Sequence, residues 1–174
     1  MNLSEVSQTA ILALLCRVVE SEKKNPVFND PMAVLCLERL ISISSEEEKK
    51  RIMKWKKKYA GINTRDAKAR ALTARSFDSI ASLFISTNPG CTVINLACGF
   101  DTRFWRVEHE KCKYVEFDLP EVIEFKRKIL KDLLDYELIG CSVIRVVFRV
   151  SKGPRRLTSR RWRPARRARC ARGS

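Results

Sequence analysis

Apolar residues recur with a helical period over most of the first 86 positions, and the period then changes. In residues 4–20, SEVSQTAILALLCRVVE, one helical face carries Val6, Ala10, Ile11, Leu14, Leu15, Val18 and Val19, with Ser4 as a good cap residue ahead of it. KKNPVFNDP reads as a loop broken by Pro26 and Pro31. PMAVLCLERLI reads as a short helix with Pro31 in its first turn. Ser44 or Ser45, followed by Glu46, Glu47 and Glu48, starts a further helix that runs to Gly61. Its cations crowd the C-terminal half, where they complement the helix dipole. Residues 64–86 form a long helix on which Ala67, Ala71, Ala74, Phe77, Ile80, Ala81 and Phe84 keep the period, and TNPG stops it.

Beyond that stop the pattern is that of strands. CTVINLA is rich in β-branched residues and poor in charge, as a parallel strand covered on both faces should be. RFWRV reads as a short helix or turn, and KYVEFD (residues 113–118) as a second strand. Pro120 opens the helix PEVIEFKRKILKDLLDY, whose apolar face holds Val122, Ile123, Ile129, Leu130, Leu133 and Leu134. ELIGCSVIRVVFRV reads as a third strand. Helices followed by βαβαβ predict an α/β fold, the first half of a doubly wound Rossmann-like sheet. The chain divides on this reading into a helical lid segment (1–62), a partial Rossmann-like domain (63–144) and a basic tail (145–174).

Composition changes the picture mainly at the tail. Of the 35 Lys and Arg in the 174 residues, 12 lie in residues 145–174, which hold no acid, so residues 1–144 carry 23 bases against all 20 acids. The net charge of +15 therefore describes the tail more than the domain. A segment of Arg, Ala, Ser and Pro with no periodic apolar face is expected to be disordered. It reads as an RNA- or DNA-binding extension or as out-of-frame or alternatively spliced coding sequence, and nucleic acid is expected only through it. KKRIMKWKKKY reads either as a surface for an anionic partner or as a solvated helix face with Ile52, Met53, Trp55 and Tyr59 partly buried; the composition favours the second. Seven cysteines without C-x-x-C spacing, beside the single His109, argue against zinc and for free thiols in a reducing cytosol. No apolar run approaches the ~20 residues of a membrane span. The expected setting is cytoplasmic, with no metal and no membrane.

The candidate chemistry sits in VINLACGFDTRFW. At the carboxyl end of the first strand of such a sheet, ligands lie in the crevice above the strand ends. Ala97, Cys98 and Gly99 make a small-residue bend that lets a ligand approach the main chain. Asp118 ends the next strand, 21 residues after Ala97, the distance at which an acid meets a ribose hydroxyl pair. Bend, βαβ context and acid together point to an adenosine-containing cofactor. A dinucleotide needs a G-x-G-x-x-G turn for its pyrophosphate, whereas here Asp101 would repel phosphates. S-adenosyl-L-methionine carries a sulfonium and an ammonium, which an acidic loop suits, and a carboxylate, which needs a cation. Arg75, on the helix leading into the first strand, is placed to supply one, although spacing alone equally allows a surface arginine.

SQTAILALLCRVVE, NDPMA, ARALTARSFD, VINLACGFDTRFWRV and YVEFDLPEVIEFKRKIL resemble the leucine carboxyl methyltransferase family of S-adenosylmethionine-dependent O-methyltransferases. The resemblance runs from about residue 7 to 143. Its specific parts are the G-x-G-x-D-T-R type loop and the E-x-D-x-P-E-V-x-x-x-K stretch. It implies that Arg75 contacts the cofactor carboxylate, that the 97–99 bend lies under the methionine part, and that Asp118 holds the ribose; Asp101, in the acidic loop, is a further candidate cofactor-binding residue. The family usually has Gly where this chain has Ala97. One branch of the family methylates the C-terminal leucine carboxylate of a phosphatase subunit, the other small-molecule acceptors, and SQTA…R…NDPMA and DTR are more similar to the second. The implied partner is a small-molecule or protein carboxylate, or a hydroxyl. A carboxylate is already ionised at pH 7, so transfer to it needs no general base, and no catalytic residue is singled out. Such sheets usually have seven strands and only about three precede the tail. The chain is therefore expected to be a truncated methyltransferase with a partial cofactor site, with its own activity in question.

Overall fold

A computed structural model describes residues 5–61 and 64–142. Helices α1 (Glu5–Ser21), α2 (Pro31–Ile43), α3 (Glu46–Ala60) and α4 (Thr64–Thr87) precede β1 (Thr92–Leu96), β2 (Lys113–Asp118), α5 (Pro120–Leu130) and β3 (Glu137–Gly140). Between β1 and β2 lie two short 3-10 turns, Arg103–Arg106 and His109–Lys111. The strands are parallel in the order β1-β2-β3, with Leu96 opposite Phe117 and Asp118 opposite Gly140. This α/β arrangement is the first half of a Rossmann-like sheet, as the pattern predicts. The expected continuation of the third strand past residue 142 and the basic tail lie outside the described residues.

Local sequence explains most boundaries. Asp30 caps α2 by accepting from the Ala33 N–H at 3.0 Å, and Pro31 occupies the first turn, where its missing N–H costs nothing. Ser45, rather than Ser44, starts α3, in a reciprocal capping box with Glu48. The helix α5 ends at Leu130, six residues short of the end expected at Tyr136. The reason is tertiary: Arg39 of α2 donates to the Ile129 carbonyl at 3.0 Å and grips both Asp132 carboxylate oxygens.

One core spans the helical segment and the sheet segment. Ile11, Leu14, Leu15 and Val18 of α1 pack with Leu37 and Leu40 of α2, Ile52 of α3, and Phe100, Ile129 and Leu130. Two expectations change. The inward stripe of α4 is Ala67, Ala71, Asp78 and Ile85, while Phe77, Ile80 and Phe84 are 55%, 64% and 52% exposed. The helix is turned so that Asp78 meets arginines from the loop after β1. The strand β1 is also less covered than its composition suggests: Ile94 and Leu96, on one face of the strand, are exposed.

Replacing Ser45 with Ala should remove one side of the capping box and lower stability by about 1 kcal/mol, measured by chemical denaturation.

Candidate functional site

The chain leaves β1 in a tight bend. Ala97 and Gly99 both have left-handed backbone, with φ of 52° and 51°. An L-residue with a Cβ is strained there, by about 1–2 kcal/mol. At Gly99 a Cβ would also stand 3.1 Å from the Ala10 Cβ of α1. A side chain at position 99 would thus be strained by its φ and would press on α1 over the loop. The Asp101 N–H closes the bend by donating to the Cys98 carbonyl at 2.8 Å.

The end of β2 meets this bend. The Gly99 N–H donates to the Asp118 Oδ2 at 2.6 Å, and the Leu119 N–H donates to Oδ1 at 2.7 Å. Above them lies a cleft of about 220 Å³, lined by Thr9, Ala10, Ala13 and Arg17 of α1, residues 97–101, Asp118 and Val122. That volume is below the roughly 300–1,000 Å³ of pockets that enclose a whole small-molecule ligand. The structure therefore brings Ala97, Cys98, Gly99, Asp101 and Asp118 together on one cleft. Arg75 is elsewhere: its guanidinium is exposed, donates to the Val27 carbonyl at 3.0 Å, and is not among the residues that line the cleft.

Asp101 is held by the protein itself. Its Oδ1 accepts from the Thr102 and Arg103 N–H groups at 2.8 and 3.1 Å and from Arg106 at 3.0 Å; its Oδ2 accepts from Asn95 at 3.2 Å and pairs with Arg103 at 3.3 Å. Burial pushes its pKa up, but Arg17, Arg106, Arg103 and Lys126 outweigh burial and hold the carboxyl far below the usual carboxylate range. The Thr102 and Arg103 N–H groups at the start of the 3-10 turn are thus taken by this carboxylate. Burial drives the neighbouring Cys98 thiol well above its ordinary pKa, so it stays protonated and is a poor nucleophile.

Several site residues stand in the motifs SQTA…R…NDPMA and DTRFWR without a role that the sequence assigns them. Arg17 is 7% exposed and donates to the Phe100 carbonyl at 2.7 Å and to Asp30 Oδ2 at 3.2 Å. Arg106 joins Asp30 (2.7 Å), Asp78 (2.6 Å) and Asp101. Thr102 Oγ1 donates to Asp30 Oδ2 at 2.6 Å. The NDP segment before α2 and the DTRFWR segment after β1 are thereby locked together. A charged residue inside an apolar helical stretch, as Arg17 is in LLCRVV, was the available signal. Among the described residues no group of three or more His, Cys, Asp or Glu could hold a metal, and no helix is long and apolar enough to cross a membrane.

A parallel sheet with a left-handed small-residue bend on an acid at the next strand end defines a Rossmann-like α/β domain with a cleft at its carboxyl edge. The chain belongs to the leucine carboxyl methyltransferase family, whose model matches residues 10–171. That match continues past residue 143, where the resemblance read from the sequence ends, into the basic tail. The chain is similar to the tetracenomycin polyketide synthesis O-methyltransferase TcmP of Streptomyces glaucescens, 27% identical over 143 residues, which are 82% of this chain and 48% of TcmP. It is also similar to the S-adenosyl-L-methionine-dependent methyltransferase dpfgK of Gibberella zeae, 25% identical over 134 residues, 75% of this chain and 43% of that protein. The chain spans about half the length of these curated relatives.

Two outcomes follow from the bend and its acid. Ala97→Gly should stabilise the fold by about 1 kcal/mol in denaturant titrations, since relief of the left-handed strain exceeds the added backbone entropy of glycine. The lowered folded-state pKa of Asp101 means its contribution is complete above the unfolded carboxylate value and is lost as pH falls toward the folded one. Stability measured in steps below pH ~4 should therefore drop, and Asp101→Asn should be weaker at neutral pH but lose less in acid.

Proposed function

We propose that the chain binds S-adenosyl-L-methionine in the cleft above Gly99 and Asp118 and serves methyl transfer to an oxygen acceptor, a carboxylate or a hydroxyl. The observation that carries this reading is the apposition of the bend and the acid: the Gly99 N–H sits 2.6 Å from the Asp118 carboxylate at the mouth of the cleft. Each Asp118 oxygen spends one lone pair on a backbone N–H and keeps another for a ribose hydroxyl. Family membership and the two methyltransferase relatives support the same cofactor.

The residues present fit that group better than a dinucleotide. Asp101 occupies the Thr102 and Arg103 N–H groups, so they are not free for a pyrophosphate, and its own charge is paired with Arg103 and Arg106. When bound, S-adenosyl-L-methionine supplies an electrophilic methyl group on its sulfonium. Asp118 would then hold the ribose, the 97–99 backbone would flank the methionine part, and Arg17, in the cleft wall, would be the cation for its carboxylate. Arg75, which the family resemblance assigns to that carboxylate, is bonded to the Val27 carbonyl away from the residues that line the cleft, so Arg17 takes the place of that cation in this reading. α1 covers the cleft and excludes water on its side, which strengthens each of these charge contacts. For a carboxylate acceptor, in-line placement and dehydration carry the reaction without a base. The nucleic-acid reading rests on the composition of residues 145–174, and no observation on the described residues favours it.

Isothermal titration with S-adenosyl-L-methionine tests the proposal. Saturable one-to-one binding is expected. Asp118→Ala should weaken it at least tenfold through loss of charge-assisted hydrogen bonds of about 1.5–3 kcal/mol, and Arg17→Met should weaken it more than Arg75→Met. Binding indifferent to Asp118→Ala would place the cofactor elsewhere.

A further inference from the structure

The motif E-F-D-L-P-E-V-I-E-F-K ends on Lys126, which a helical period puts in the middle of an apolar face with Val122, Ile123, Ile129 and Leu130. The structure buries this lysine completely, together with Glu116 of β2. The two form an ion pair at 2.5 Å. The Lys126 Nζ also donates to the main-chain carbonyl of Asp101 at 2.5 Å. Asn95 of β1 closes the circuit, donating to Glu116 Oε1 at 3.1 Å and to Asp101 Oδ2 at 3.2 Å. Lys126, Glu116, Asn95 and Asp101 thus form a closed ring linking α5, β2, β1 and the loop.

The ring is a costly way to hold a fold together. A buried ion pair gains little over well-packed neutral side chains of the same size, because desolvation offsets most of the attraction. Its geometry points to another use. Asp101 is the last residue of the turn that begins at Cys98, and Gly99, inside that turn, donates to Asp118. Strand alternation puts Glu116 and Asp118 on the same face of β2. Lys126 therefore fixes the exit of the turn while Asp118 fixes its middle.

We infer that Lys126 and Glu116 are positioning residues that hold the 98–101 turn against Asp118, so that the cleft is formed before any ligand arrives. The identity of the ligand rests on the proposed function; the positioning role does not. Burial lowers the pKa of Lys126, but Glu116 and Asp101 outweigh it and keep the amine charged, with all its contacts inside the protein. Neutralising only one partner would strand a buried charge, so the informative variant replaces both, as Glu116→Gln/Lys126→Met.

Amide hydrogen exchange on the full chain reads the turn directly. In the double variant the Gly99 amide should exchange at least tenfold faster, while amides of the α1–α2 core keep their rates and thermal unfolding shifts by only a few degrees. S-adenosyl-L-methionine affinity should fall about tenfold alongside. Retained Gly99 protection in a folded double variant overturns the inference, whatever the affinity does. A loosened Gly99 amide in a chain that never binds S-adenosyl-L-methionine supports the positioning role and refutes the cofactor reading instead. Should the double variant not fold, exchange of the unaltered chain in low denaturant decides: Gly99 is expected to open together with the α5 amides near Lys126, and a separate, easier opening of Gly99 alone overturns the inference.

Discussion

The hydrogen bond from the Gly99 N–H to the Asp118 carboxylate, beside the 3.1 Å bond from the Cys98 N–H to the Phe117 carbonyl, ties the carboxyl end of β1 to that of β2 and makes the mouth of the cleft. For that bond to form, the chain must turn into the left-handed region at Ala97 and again at Gly99. Left-handed backbone at a residue with a Cβ persists only where its surroundings over-determine it. The surroundings here are α1 pressed against Gly99, the Cys98–Asp101 turn, and a web of charges on Asp101.

That web explains why so many ionised groups are buried in a small domain. Asp30, Asp78 and Asp101 are distributed over three elements, and Arg17, Arg103 and Arg106 bridge them. In a low-dielectric interior each charge is tolerable only if its partners are in place. The helical layer therefore has one way to sit on the loop: α2 brings Asp30 through its cap, α4 turns Asp78 inward, and α1 lays Arg17 along the cleft. Apolar packing gives the domain its cohesion, while the charges fix how the layer meets the sheet edge.

Much of this was legible in the residues, for reasons that can be named. KYVEFD is an uninterrupted strand pattern, and β2 occupies those residues without change. The pairing of the 97–99 bend with Asp118 follows from a rule about strand ends that depends on local spacing alone. The orientation of α4 was hidden, because Asp78 belongs on the outside by type and its arginines lie 25 and 28 residues away. Lys126 and Glu116 stand in the E-x-D-x-P-E-V-x-x-x-K stretch, but their pairing was hidden, because it depends on how α5 packs against β2. Arg17 reaches the cleft only because of the way α1 crosses the loop, which no periodicity encodes. The early end of α5 depends on Arg39, some 90 residues earlier in the chain.

The central claim is that Asp118 and the bend above it form a nucleoside site. A crystal structure of the chain with S-adenosyl-L-homocysteine, the demethylated product, tests it most directly. Ribose hydroxyls about 2.5–3.0 Å from the Asp118 carboxylate, with the Gly99–Asp118 bond intact, are predicted. A nucleoside seated away from Asp118, or a bend that has swung off the acid, would contradict it.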